Sequence, residues 1–128
     1  MVLKQVKPTD AELDVLRVLW EHGPGTVKEI HQKLPDHPRR GYTTVLKLLQ
    51  IMADKGLVKR DESQRAHVYR VDVSLEQTQT KMITHLMDKA FNNSMSSLVM
   101  RALSARPASR EELLEIRKLL DQMEEESQ

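Results

Sequence analysis

Apolar residues recur through this chain at helical spacing, and the recurrence divides it into six helical stretches and one short alternating run. The third stretch organises the rest. From Gly41 to Val58 the apolar positions are Val45, Leu48, Leu49 and Met52, the i, i+3, i+4, i+7 series of an amphipathic helix. Gly56 follows where a residue tolerant of positive φ ends a helix without steric cost. The opposite face carries Thr43, Thr44, Lys47 and Gln50, which are hydrogen-bonding groups rather than a solubilising mixture of acids and bases. One apolar face and one donor-rich face is the format of a helix that reads the DNA major groove. An ordinary surface helix is the plainer alternative for this stretch taken alone.

Upstream, Thr9 and Glu12 have the spacing of a capping box, and Leu13, Leu16 and Trp20, flanked by Val15 and Leu19, continue it as a first helix. Trp20 is expected in the core, and Gly23-Pro24-Gly25 ends the helix. Thr26 and Glu29 form a second box before Val27, Ile30 and Leu34; Pro35 and Pro38 close that helix. The turn from Pro35 to Gly41 is basic at Arg39 and Arg40. Three short helices in this order, the third polar on its outer face, describe a helix-turn-helix.

After Gly56 the character changes. His67, Tyr69 and Val71 alternate with Val68 and Arg70, and with Leu57 to Asp61 they predict two strands joined by a polar tip. A hairpin placed there is the wing of a winged helix, with Arg65 at its tip in reach of a phosphate. The fold expected is mainly α with a small β-hairpin: a winged helix-turn-helix domain over residues 1–73, then a three-helix region over 74–128.

That second region opens with Ser74 and Gln77 in a third box, followed by Met82, Ile83, Leu86, Met87, Ala90 and Phe91. Asn92-Asn93-Ser94 reads as a turn, and Met95, Leu98, Val99, Ala102 and Leu103 return to helical spacing until Pro107. Ser109 and Glu112 make a fourth box, after which Leu113, Ile116, Leu120 and Met123 step by three and four along an a/d seam. The acidic tail Glu124-Glu125-Glu126 is expected to fray. Three helices of this size cannot bury so much apolar surface among themselves, so a second copy is expected to cover Leu86, Phe91, Leu98, Val99, Leu113, Ile116, Leu120 and Met123.

Charge sharpens the picture where net charge does not. The chain carries +1 overall, but residues 39–70 hold 8 basic and 3 acidic side chains, so the positive charge gathers around the candidate reading helix. That fits phosphate contact. The expected DNA-binding set is Arg39, Arg40, Tyr42, Thr43, Thr44, Lys47 and Arg65. No catalytic motif competes with it. The five histidines (His22, His31, His37, His67, His85) fall in no HxxxH spacing, Glu29 reads as a cap, and no cysteine is present, so no metal, cofactor or catalytic residue is expected. No apolar run reaches the length of a membrane span, and a cytoplasmic home is expected.

The residues also resemble a known family. Thr9-x-Ala11-Glu12-Leu13-x-Val15-Leu16-x-x-Leu19-Trp20, Gly23, Thr26-Val27, Glu29-Ile30, Tyr42-Thr43-Thr44-Val45, Leu48-Leu49, Lys55-Gly56-Leu57-Val58 and Tyr69 are similar to the penicillinase and methicillin-resistance repressors. The likeness is detailed over residues 8–73 and looser through Ser97-Leu98-Val99 and Glu111-Glu112-Leu113. It implies a winged-helix repressor, homodimeric through its C-terminal helices, on palindromic operators of antibiotic-resistance or stress genes. It also implies release by proteolysis through a membrane sensor. Three features depart from that pattern. The cysteine-rich metal site of copper-type members is absent, Arg101-Ala102 stands where an Asn-Phe pair is cut in β-lactam-responsive members, and Ile51 replaces a frequent Arg. A winged-helix protein-interaction module without DNA binding is the first alternative reading, and a small metal-dependent regulator or enzyme using the histidines is the second.

Overall fold

A computed structural model describes residues 7–36 and 38–127. His37, one of the five histidines, lies outside them. Six helices and three strands follow in the order α1 (Asp10–His22), β1 (Gly25–Thr26), α2 (Val27–Lys33), α3 (Tyr42–Asp54), β2 (Val58–Asp61), β3 (Val68–Val71), α4 (Leu75–Ala90), α5 (Met95–Ala105) and α6 (Arg110–Glu126). The fold is mainly helical with one small antiparallel sheet. Two compact units divide within α4, Met1–Thr84 and His85–Gln128.

Each helix that the sequence marked with a box begins at that box. Thr9 and Glu12, Thr26 and Glu29, and Ser109 and Glu112 exchange both bonds of the motif. Ser74 and Gln77 do the same ahead of α4, at 3.0 and 3.1 Å. Reciprocal caps satisfy donors that the first helical turn leaves unpaired, which is why they fix starts so sharply. A cap not foreseen is Ser94, whose hydroxyl accepts from the Ser97 amide and opens α5. At the other end of α3, Gly56 takes φ +83, while Leu57 N–H donates to Met52 and Gly56 N–H to Ala53. That bond pair is a Schellman stop, and it requires the left-handed conformation that glycine enters freely. α6 runs through to Glu126, so the acidic tail continues the helix instead of fraying.

The first unit closes around a single core. Val15, Leu16 and Leu19 of α1 meet Val27 and Ile30 of α2, Val45, Leu49 and Met52 of α3, and Val58 and Tyr69 of the sheet, all buried. Trp20 is partly buried against this cluster, and its indole N–H donates to the Val73 carbonyl at 3.1 Å, tying α1 to the end of the sheet. The sheet has three strands rather than two, in the order β1-β3-β2. Val58 pairs with Val71 and Arg60 with Tyr69 in the hairpin, while Gly25 pairs with Tyr69 on the other side of β3. β1 ties the wing to the helices at the start of α2.

One buried charge spans the unit. Glu12 is 2% exposed; one carboxylate oxygen accepts from the Thr9 amide and the other takes the Lys55 ammonium at 2.7 Å. The residue that caps the start of α1 therefore also holds the end of α3.

The second unit, taken by itself, has no comparable core. Neither α5 nor α6 contains a buried residue. Leu86, Val99, Leu113, Leu120 and Met123 are exposed, and Phe91, Leu98 and Ile116 only half-buried. Leu119, exposed beside the a/d seam, widens its apolar stripe beyond what the seam spacing had marked.

Candidate nucleic-acid interface

α3 is fixed by its inner face and free on its outer one. With Val45, Leu49 and Met52 fully buried, the geometry of a helix turns Thr43, Thr44, Lys47 and Gln50 outward, and all four are exposed. Thr44 and Lys47 stand one turn apart on the same strip.

The turn before α3 separates two adjacent arginines. Arg39 is exposed. Arg40 is drawn in instead: its guanidinium lies 3.0 Å from the Asp36 carboxylate and 3.5 Å from that of Asp14 on α1, leaving its side chain 19% exposed. The amides of Arg39 and Arg40 both donate to the Asp36 carbonyl, and His31 Nε2 bonds the Arg40 carbonyl. Arg40 thus braces the turn that aims α3, and it also lines the cleft on the outer side of that helix with Thr43, Thr44 and Lys47. Gly41 supplies no side-chain cap, so this brace does the positioning that a capping residue does elsewhere. Tyr42, half exposed, sets its ring edge-on to His31 with centroids 6.4 Å apart.

The wing adds a second positive edge. Arg65 lies exposed near its tip, in the stretch that joins β2 to β3. Within the tip, the Asp61 carboxylate accepts from the Ser63 amide at 2.9 Å, and that bond holds its pKa below the usual carboxylate range. Arg60 is engaged by Tyr69 and Glu62, with its carboxylate partner at 2.6 Å. A cleft of about 340 Å³ brings Arg65 together with Lys28 of α2, Tyr42 of α3 and His67. Sequence reasoning missed Lys28 and His67 as members of this surface. Lys28 sits inside the second capping box, and nothing in local spacing tells that α2 begins beside the wing.

Glu29 is where the sequence expected a cap. Its carboxylate accepts from the Thr26 amide at 2.8 Å, and that bond lowers its pKa, so it serves as a cap. Among the described residues, no group of three or more His, Asp or Glu side chains is placed to hold a metal ion. Among them, too, no helix is long and apolar enough to cross a membrane.

A helix-turn-helix whose second helix is exposed along a donor strip, followed by a basic β-hairpin, defines a winged-helix protein. The sequence profile of the penicillinase repressor family matches residues 8–122, and the chain belongs to that family of transcriptional repressors. It is 23% identical to the penicillinase repressor of Staphylococcus aureus over 94% of this chain and 96% of that protein. With the penicillinase repressor of Bacillus licheniformis the identity is 24%, over 89% of each chain. The transcriptional regulator BlaI of Mycobacterium tuberculosis is 39% identical over 61 residues, 47% of this chain and 44% of that one.

Proposed function

We propose that this protein represses transcription by binding a palindromic promoter operator as a homodimer in the cytoplasm, α3 lying in the major groove. The observation that carries the reading is the exposed strip of Thr43, Thr44 and Lys47 on a helix whose opposite face fully buries Val45, Leu49 and Met52. Exposed cations stand on either side of it, Arg39 before α3 and Lys28 and Arg65 at the wing cleft. In this arrangement Thr44 and Lys47 meet base edges, Arg39, Lys28 and Arg65 meet phosphates, and Arg40 keeps the helix at its angle. The relatives named as penicillinase repressors point to a target promoter of antibiotic resistance.

Dimerisation follows from the helices of the second unit. Leu113, Leu119, Leu120 and Met123 are 47–57% exposed on α6, and burying a side chain of that size is worth about 1.5–3 kcal/mol. A second copy offers the same stripe, so an isologous interface can cover both. Two winged helices on two half-sites then multiply the discrimination that one alone provides. Release by a sensor-triggered cut is the least supported part of the family pattern, since Arg101-Ala102, inside α5, replaces the Asn-Phe pair.

Titration of duplex DNA carrying the upstream promoter region, at several salt concentrations and with sedimentation of the same samples, tests the proposal. The expected result is a dimer on one operator, its log affinity falling by about 0.9 per phosphate neutralised for each log unit of salt. A flat salt dependence without a footprint would overturn DNA binding in favour of a protein-interaction module. A monomer bound to a full operator would overturn the dimer.

A further inference from the structure

Among the polar side chains on the outer face of α3, one is a large aliphatic residue. Ile51 is 43% exposed, although the same helix buries Val45, Leu49 and Met52. At 3.6 residues per turn it stands two turns beyond Thr44 and one beyond Lys47, so the three share one strip. Ile51 lines a cleft of about 500 Å³ with Ala11 and Leu48 as its apolar part and Arg40, Thr43, Thr44 and Lys47 as its polar part.

A single exposed aliphatic side chain is ordinary on most surfaces. On this strip its position matters. Threonine hydroxyls and an ammonium can answer the acceptors of a base edge, but an isoleucine laid over such an acceptor would desolvate it without return. The one apolar group that a base pair presents in the major groove is the C5-methyl of thymine. Lys47 on the same strip and exposed Arg39 before the helix supply the positive charge that draws a duplex to this face.

We infer that Ile51 reads a thymine methyl and is a specificity-determining residue of the operator complex. The inference rests on α3 reading the major groove. Seven residues of helix span about 10 Å. A helix following the groove therefore sets the thymine roughly three base steps, at 3.4 Å each, from the pair that Thr44 meets.

The test removes the methyl and nothing else. The full-length protein selects an operator from a random duplex library, and each dT of that operator is then replaced singly by dU. Wild type should lose about fourfold in affinity at one thymine of each half-site, the worth of one buried methyl. Ile51→Ala should bind the dT and dU operators equally, at the level wild type shows when that thymine is replaced in both half-sites. Thr44→Ala should keep the dU penalty. Because Ile51 is outside the core, thermal melting of Ile51→Ala should match wild type, which separates a failure of reading from a failure of folding. Wild type indifferent to every dU, or an equal small loss at all thymines, would overturn the inference and leave DNA binding standing. So would an Ile51→Ala variant with an undiminished penalty at that thymine. A library that yields no preferred sequence would overturn the proposed function, and this inference with it.

Discussion

The two units of this chain use similar residues in opposite ways. In Met1–Thr84, valines and leucines at helical spacing meet one another, and Val15, Leu16, Val45 and Leu49 are wholly shielded from water. In His85–Gln128 the spacing is as regular, yet no residue of α5 or α6 is fully buried. Periodicity marks which face of a helix is apolar; it does not say what covers that face. In the first unit three helices and the sheet close on one buried cluster. The second has helices alone, and the dimer proposed above would cover its apolar face. On that view the first unit carries recognition and the second supplies the symmetry that recognition needs.

The sharpest way to break this contrast is a charge in the seam. Ile116→Asp, half-buried in the single chain, would place a carboxylate inside the proposed dimer interface, at a cost of several kcal/mol. The first unit keeps its own core, so the variant should remain folded there and become monomeric. Operator affinity should then fall by orders of magnitude, because the second half-site is no longer met at high effective concentration. Sedimentation and operator titration on one sample read both effects. A folded monomer that binds a full operator as tightly as wild type would refute the division of labour.

A truncation in each unit sharpens the same contrast from the side of stability. Leu49→Ala removes a fully buried side chain and should cost about 2–5 kcal/mol at any protein concentration. Leu120→Ala removes one that is 57% exposed in the single chain. Its cost should be visible only where dimers form, so its melting temperature should converge on that of wild type as the protein is diluted. Melting curves over a wide range of protein concentration decide it. Equal behaviour of the two variants would mean that the second unit holds a core of its own.

The reading face comes next in size. Thr44→Ala with Lys47→Ala should weaken operator binding by about 1–3 kcal/mol for each base edge that a removed side chain had met. The melting temperature should be kept, since both side chains are exposed. Footprinting shows whether protection of the operator survives. A double variant that protects it like wild type would remove α3 from the role of reader.

What the sequence made legible was local. Four capping boxes and the Gly56 stop are signals complete within four to six residues, and the structure bears out each one. What escaped was tertiary. β1 is two residues long, too short for any alternation, and it is a strand only because β3 lies beside it. Glu12 has the look of a finished cap, and its second oxygen finds Lys55 43 residues away. Arg40 groups with Arg39 in the sequence because the two are adjacent; only folding brings Asp14 of α1 to it. Lys28, Tyr42 and the Arg65–His67 stretch meet in one cleft from three places in the chain, and no spacing rule connects them.

The smallest effect expected is at the wing, and it tests whether the first unit alone does the binding. Arg65 is exposed beside the cleft, so its removal should leave stability unchanged. It shares that cleft with Lys28 of α2, which places two positive charges along one stretch of backbone if the duplex passes there. A phosphate contact carries no sequence information, whereas a base contact does. Arg65→Ala should therefore weaken operator and unrelated DNA by the same factor, and the log–log salt slope should fall by about one. Lys28→Ala should repeat that result, and the double variant should lower the slope by about two if each cation neutralises its own phosphate. Titrations of both duplexes over a series of salt concentrations measure all of this. Loss confined to one operator position would show that the wing reads a base, and an unchanged slope would show that DNA does not reach the wing.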